Sequence, residues 1–209
     1  MTRPCSLCIC IVALVSSATL TRATVTPISY TRYVSTFAFL DYAFGQEPLR
    51  SDETIQFEQG GSFDEHAVCH VEHGSSYVTA LANQSSSIDA AGIQAAISAS
   101  AEGAVNLPER GTLGLCSTAV TYEFSVDTPT PCHLSAQIIA SGGGTIDIDL
   151  GPIGGGWLVN RQFFETDESY DQQLLLPPGS YQVVAGGGGD GATGPNGLGA
   201  SSIELGFSL

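Results

Sequence analysis

Five side chains able to bind a metal or move a proton, His66, Cys69, His70, Glu72 and His73, fall within eight positions, the densest such cluster in the chain. A transition-metal centre needs imidazole or thiolate donors converging on one point. Here Ala67, Cys69 and Val71 alternate with more polar neighbours, a period of two that specifies a strand. On a strand His66, His70 and Glu72 project to one face and Cys69 and His73 to the other, so no four converge. A helix would align His66, His70 and His73, but Val71 and Gly74 oppose a helix. The cluster therefore reads as a solvated strand face.

Asp147 and Asp149 share the polar side of an alternating segment whose other side carries Ile146 and Ile148. Carboxylates two residues apart stand about 7 Å from each other. With loop carbonyls they could help hold calcium, the one cofactor the acidic strands admit; otherwise they are the wet side of a strand. A same-strand pair supplies no acid of raised pKa and no cleft for glycoside hydrolysis. Gly186 to Gly191 spells a dinucleotide-binding motif, but no helix follows to offer its N-terminus and Asp190 repels phosphate. No Ser stands between glycines two residues away on each side, and no H-E-x-x-H occurs, so the nucleophile elbow and the zinc-protease motif are absent. All six basic residues are Arg. Without Lys, P-loop, Schiff-base and kinase chemistry are excluded. Trp157 with Phe163, Phe164 and Tyr170 could form a sugar-stacking face, although the expected place of a single Trp is the core between two sheets. Asn83-Gln84-Ser85 spells a glycosylation sequon.

The elements that must position these residues begin after an address. Arg3, the apolar run Cys5 to Val15 and the small residues leading to Ala18 or Ala23 have the order of a secretory signal peptide, too short to span a bilayer. Removing residues 1–23 leaves four Arg against 21 Asp and Glu, a formal charge of −17. That surface repels nucleic acid and anionic headgroups. It also removes three cysteines, leaving Cys69, Cys116 and Cys132. An odd count permits one disulfide in an oxidising compartment, and Cys116 with Cys132 closes the shortest loop, although in a hairpin about Asp127 to Thr130 they would not lie directly opposite.

In the mature chain, 24–52 mixes aromatics without a clean period and reads as an irregular lead-in around one strand at Arg32 to Leu40. Thr54 to Glu58 alternates, and Gly74-Ser75 forms the turn of a hairpin between the Cys69 region and Tyr77 to Ala82. Residues 90–104 are Ala-rich, with Ser87 or Asp89 as a helix cap and Gly103 as terminator, yet Ile93 to Glu102 alternate through ten residues and favour a strand. Strands follow at 119–126, 133–140, 145–150, 157–164, 173–175, 181–185 and 202–208, with Gly186 to Gly199 as a Gly-rich loop.

Leu174 to Tyr181, with Pro177, Pro178 and Gly179 before the tyrosine, makes a corner in which Tyr181 can bury its ring and bond its hydroxyl to the corner backbone. This run, with 121–126, 133–142 and 201–209, resembles uncharacterised secreted bacterial β-sandwich proteins of the planctomycete, PEP-CTERM-associated type. The resemblance implies no catalytic residues. The Val-Pro-Glu-Pro sorting tail of such proteins does not appear before Leu209, and free secretion is expected over surface anchoring.

The expectation is a signal peptide at 1–23 and one all-β domain at 24–209. The domain is expected to be a two-sheet antiparallel, jelly-roll-like sandwich of about ten short strands. Function is expected to be that of an exported, monomeric, non-enzymatic structural or interaction protein of the extracellular space or periplasm. It would have no nucleic-acid partner, no membrane anchor after cleavage, and no catalytic, cofactor or metal residues. Its partner would be an extracellular protein or a glycan; the alternative function is a carbohydrate-binding module, calcium-stabilised if the acidic strands hold that ion.

Overall fold

The computed structural model describes residues 23–41, 47–104, 111–192 and 197–209; the signal peptide expected at 1–23 lies, but for its last residue, outside them. Twelve strands, all paired antiparallel, form two six-stranded sheets packed face to face, with no helix among the described residues. They are β1 (Val25–Asp41), β2 (Leu49–Phe57), β3 (Gly61–His73), β4 (Ser76–Asp89), β5 (Gly92–Ala104) and β6 (Gly111–Val126). The second half supplies β7 (Thr130–Ser141), β8 (Thr145–Pro152), β9 (Val159–Phe164), β10 (Asp167–Leu176), β11 (Gly179–Ala192) and β12 (Gly197–Ser208). The order is β2-β1-β6-β11-β8-β9 in the first sheet and β10-β7-β12-β5-β4-β3 in the second.

The last eight strands are a jelly roll. β5 pairs with β12, β6 with β11, β7 with β10 and β8 with β9. These four nested pairs are one long hairpin folded over, so that alternate pairs fall in opposite sheets. The N-terminal strands extend both sheets on one side, β1 and β2 beside β6, β4 and β3 beside β5.

Alternation decides which face of each strand is inside. Along β5, Ile93, Ala95, Ile97, Ala99 and Ala101 are buried while Gln94, Ala96 and Glu102 are exposed, so the Ala-rich segment is the strand its period demanded. Asp89 is no helix cap: its Oδ1 accepts from Ala91 N at 2.7 Å and shapes the β4–β5 turn. Gly74-Ser75 turns β3 into β4, with His73 opposite Ser76. The tyrosine corner forms as expected, Tyr181 burying its ring and donating to the Pro177 carbonyl at 2.8 Å.

Three readings of the sequence are corrected. The stretch 24–52, expected to be irregular around one strand at Arg32 to Leu40, holds the whole 17-residue β1 and the first four residues of β2. Its period was hidden because two of the inward positions of β1 are polar, Arg32 and Thr36, while Phe37 and Phe39 face outward. The Gly-rich stretch continues as strand through Ala192 and resumes at Gly197, because hydrogen bonds to β6 on one side and β8 on the other hold Gly186 to Gly188 in a central strand. The segment 127–129 is no hairpin turn, since β6 and β7 belong to different sheets.

The interior is crossed by a polar seam. On one side lies the large jelly-roll cluster that includes Ile88, Ile97 and Val120; on the other, a smaller one with Val34, Ala82, Ala99 and Cys116. Between them, on adjacent inward positions of β1, β4 and β6, sit the buried Arg32, Gln84, Ser86 and Thr118. The Gln84 amide bonds the Thr118 hydroxyl at 3.1 Å, which satisfies groups that burial would otherwise penalise.

Candidate binding surfaces

β3 is the outer strand of the second sheet, and its side chains divide as the spacing required. His66, His70 and Glu72 are exposed on the outer face with Val68, whereas Cys69 is buried and accepts from Thr36 Oγ1 at 3.1 Å. His70 contacts Thr79 Oγ1 through Nδ1 (2.9 Å) and Glu72 through Nε2 (3.4 Å). Among the described residues no three metal-ligating side chains come together. Glu53 of β2 reaches round the edge of the sandwich to accept from Val68 N at 2.9 Å. It thereby occupies a donor on an open strand edge.

Among the described residues the three cysteines, Cys69, Cys116 and Cys132, are free and buried. Cys116 lies ten residues before the end of β6 and Cys132 two residues into β7, so the expected pair sits at opposite ends of the sandwich, roughly 30 Å apart. No disulfide bridges such a distance. Burial pushes the thiols of Cys116 and Cys132 up to about 11.

Across the outer face of the second sheet runs an open trough of about 730 Å3. The strand registers place Ser62, Ser87, Gln94, Gly206 and Ser135 in one line over five strands, with Asp64 and Ser85 in the next. Gly206 leaves room there for its neighbours, since a Cβ would lie 2.9 Å from Ser135 Oγ and turn that hydroxyl aside. Sequence reasoning saw these hydroxyls only as polar alternation, since the line is made by register between strands distant in the chain.

The outer face of the first sheet carries the second surface. Asp147 and Asp149 project outward from β8 opposite Gln162 and Asn160 of β9, and Asn160 Nδ2 donates to Asp149 Oδ1 at 2.6 Å. Burial raises the Asp149 pKa, Asn160 opposes this, and the charge of Asp147 adds to the rise. Trp157 is not the core residue expected. It precedes β9 in the loop after β8 and is 43% exposed, flanked by the exposed Ile153 and Leu158. One edge of its ring rests on the backbone of Gly151, where a Cβ would come within 3.1 Å of the indole. Phe164, on the same outer face opposite Thr145, is 55% exposed. Phe163 and Tyr170 instead turn toward the interior, in edge-to-face contact at 6.4 Å. Gly186 to Gly188 sit flush in β11, and Cβ atoms at Gly186 and Gly188 would lie 3.2 and 3.3 Å from β6 atoms. They are packing glycines with no helix beyond them, not a phosphate loop.

Fold and faces together define an all-β jelly-roll-like sandwich with flat outer surfaces. No protein-family model matches the chain, and no curated protein matches it.

Proposed function

We propose that this chain is an exported, non-enzymatic interaction protein of the cell exterior, secreted to the extracellular space or periplasm and monomeric. The observation that carries this reading is the open trough on the second sheet. Its exposed hydroxyl, amide and carboxylate side chains come from at least four strands and form a broad contact surface. The leader-like segment 1–23 and the charge of −17 that remains without it support an exterior address and disfavour nucleic acid and anionic membrane. Placement among secreted planctomycete-type sandwich proteins is part of the same proposal.

The test is retention of tagged mature protein on intact cells of the producing organism. Saturable retention, reduced at least about tenfold by Ser87→Arg with Gln94→Arg, supports the reading. Retention unchanged by the pair, or a mature product found in the cytoplasm, overturns it; turnover of a polysaccharide or peptide overturns its non-enzymatic part. Carbohydrate binding is the second reading, favoured by one observation: the single Trp lies exposed on a flat face instead of in the core.

A further inference from the structure

We infer that the outer face of the β8–β9 hairpin is a binding site for an extended, uncharged polysaccharide chain. This rests on the carbohydrate-binding reading and names its site and ligand class. A pyranose is bound by stacking its C–H face on a flat ring while its hydroxyls meet acceptors and donors in the ring plane. The indole of Trp157 has the required form, seated on Gly151 with nearly half its surface open. The loop beside it borders open space, for a Cβ added at Gly154 or Gly156 would meet no other atom.

The loop that carries it is held at three points. Ile153 N donates to Ser180 O (3.0 Å), Gly155 N to Pro152 O (3.0 Å) and Leu158 N to Leu150 O (2.8 Å). A ring fixed in this way loses little freedom when a ligand stacks on it. Phe164, opposite Thr145, stands roughly 20 Å along β8 from the Gly151 seat of the indole. That separation calls for a chain of several sugars, not a monosaccharide. Between the two rings lie the Asp149–Asn160 and Asp147–Gln162 cross-strand pairs. Asp149 keeps a second carboxylate oxygen and Asn160 its amide oxygen as acceptors, and Gln162 supplies both donors and an acceptor. Two carboxylates on the face, in a protein of strongly negative charge, repel uronates and sulfates and leave uncharged chains as the ligand.

Titration calorimetry of the mature protein with cellohexaose, xylohexaose, mannohexaose and chitohexaose tests this, with alginate and heparin as anionic comparisons. Saturable binding to at least one uncharged hexamer is expected. Trp157→Ala should weaken it at least about tenfold, Phe164→Ala severalfold, and Trp157→Phe should restore part of the loss. His66→Ala, exposed on the opposite sheet and outside the trough, should leave it unchanged, and matching urea midpoints establish that the variants are folded. Binding confined to the anionic chains, or binding indifferent to Trp157→Ala, overturns this site while leaving the carbohydrate reading standing. No binding to any of the six overturns both.

Discussion

Arg32 of β1 reaches the backbone of Gly61 at the start of β3, its Nη1 donating to the Gly61 carbonyl at 2.8 Å. Its other terminal nitrogen donates to the Gln59 carbonyl, and its guanidinium carbon lies 4.9 Å from the Phe57 ring centre and 5.2 Å from that of Phe63. The side chain is fully buried, and among the described residues no carboxylate pairs with it. A cation so placed is held by carbonyl dipoles and ring faces, and it clamps the crossing from β2 in one sheet to β3 in the other.

Removing the clamp therefore costs packing and two satisfied carbonyls together. Arg32→Ala should lower unfolding free energy by about 3–5 kcal/mol, and Arg32→Met, which keeps the volume, by about 1–3 kcal/mol. Urea denaturation measures both; a loss below about 1 kcal/mol for the alanine variant shows that the carbonyls find other donors.

Gly92 opens β5 with φ +143°, and a Cβ there would stand 1.9 Å from the Phe207 carbonyl oxygen. Since that oxygen belongs to the β5–β12 pairing, Gly92→Ala must strain the backbone or part the strands. A loss of about 3 kcal/mol or more is expected, against less than about 0.5 kcal/mol for Gly156→Ala, whose Cβ meets nothing. Equal thermal shifts for the two variants contradict this.

Tyr181→Phe keeps the buried ring and removes only the bond to Pro177. The expected loss is about 1 kcal/mol by urea denaturation, with the fold unchanged by circular dichroism. An unchanged midpoint means that water serves the Pro177 carbonyl as well as the phenol does.

Alkaline pH should destabilise the protein. Burial raises the Cys116 and Cys132 thiols from 9.0 to about 11 and the Tyr122 phenol from 10.0 to about 12, so the unfolded chain ionises first. Above pH 9 the unfolded state then binds fewer protons than the native state. Stability falls by up to about 1.4 kcal/mol per pH unit per group, through pH 9–11 for the thiols and 10–12 for the phenol. Urea midpoints should decline from pH 8 to 10.5 and decline less in Cys116→Ala with Cys132→Ala. A thiol reagent at pH 8 should find no reactive cysteine until the protein is unfolded, and rapid labelling of the native protein would contradict the burial.

The chain shows its fold class wherever one face is uniformly apolar. β5 alternates along its length, the Gly74-Ser75 hairpin follows from its turn residues, and the tyrosine corner from Pro177 to Tyr181. Of β1 the part around Arg32 to Leu40 is legible but not its full length, because Arg32 and Thr36 point inward and take their partners from the β2–β3 turn and from β3. The glycines of β11 look like a loop until β6 and β8 flank them. Trp157 illustrates the same limit: hydrophobicity says that it should be inside, and only the register Leu150 opposite Val159 leaves it in a loop folded over Gly151. The trough is a property of cross-strand register alone.

β12 lies between β5 and β7 in the interior of the second sheet, although it is the last strand along the chain. Until it arrives, that sheet exists only as two fragments, β10-β7 and β5-β4-β3, each with an unsatisfied edge. The sandwich therefore cannot be completed before β12 is in place, and the pairing of β12 with β5 closes a very long loop. Closing the second sheet is accordingly the slow step expected of this topology, since no other strand pairing spans a longer stretch of chain.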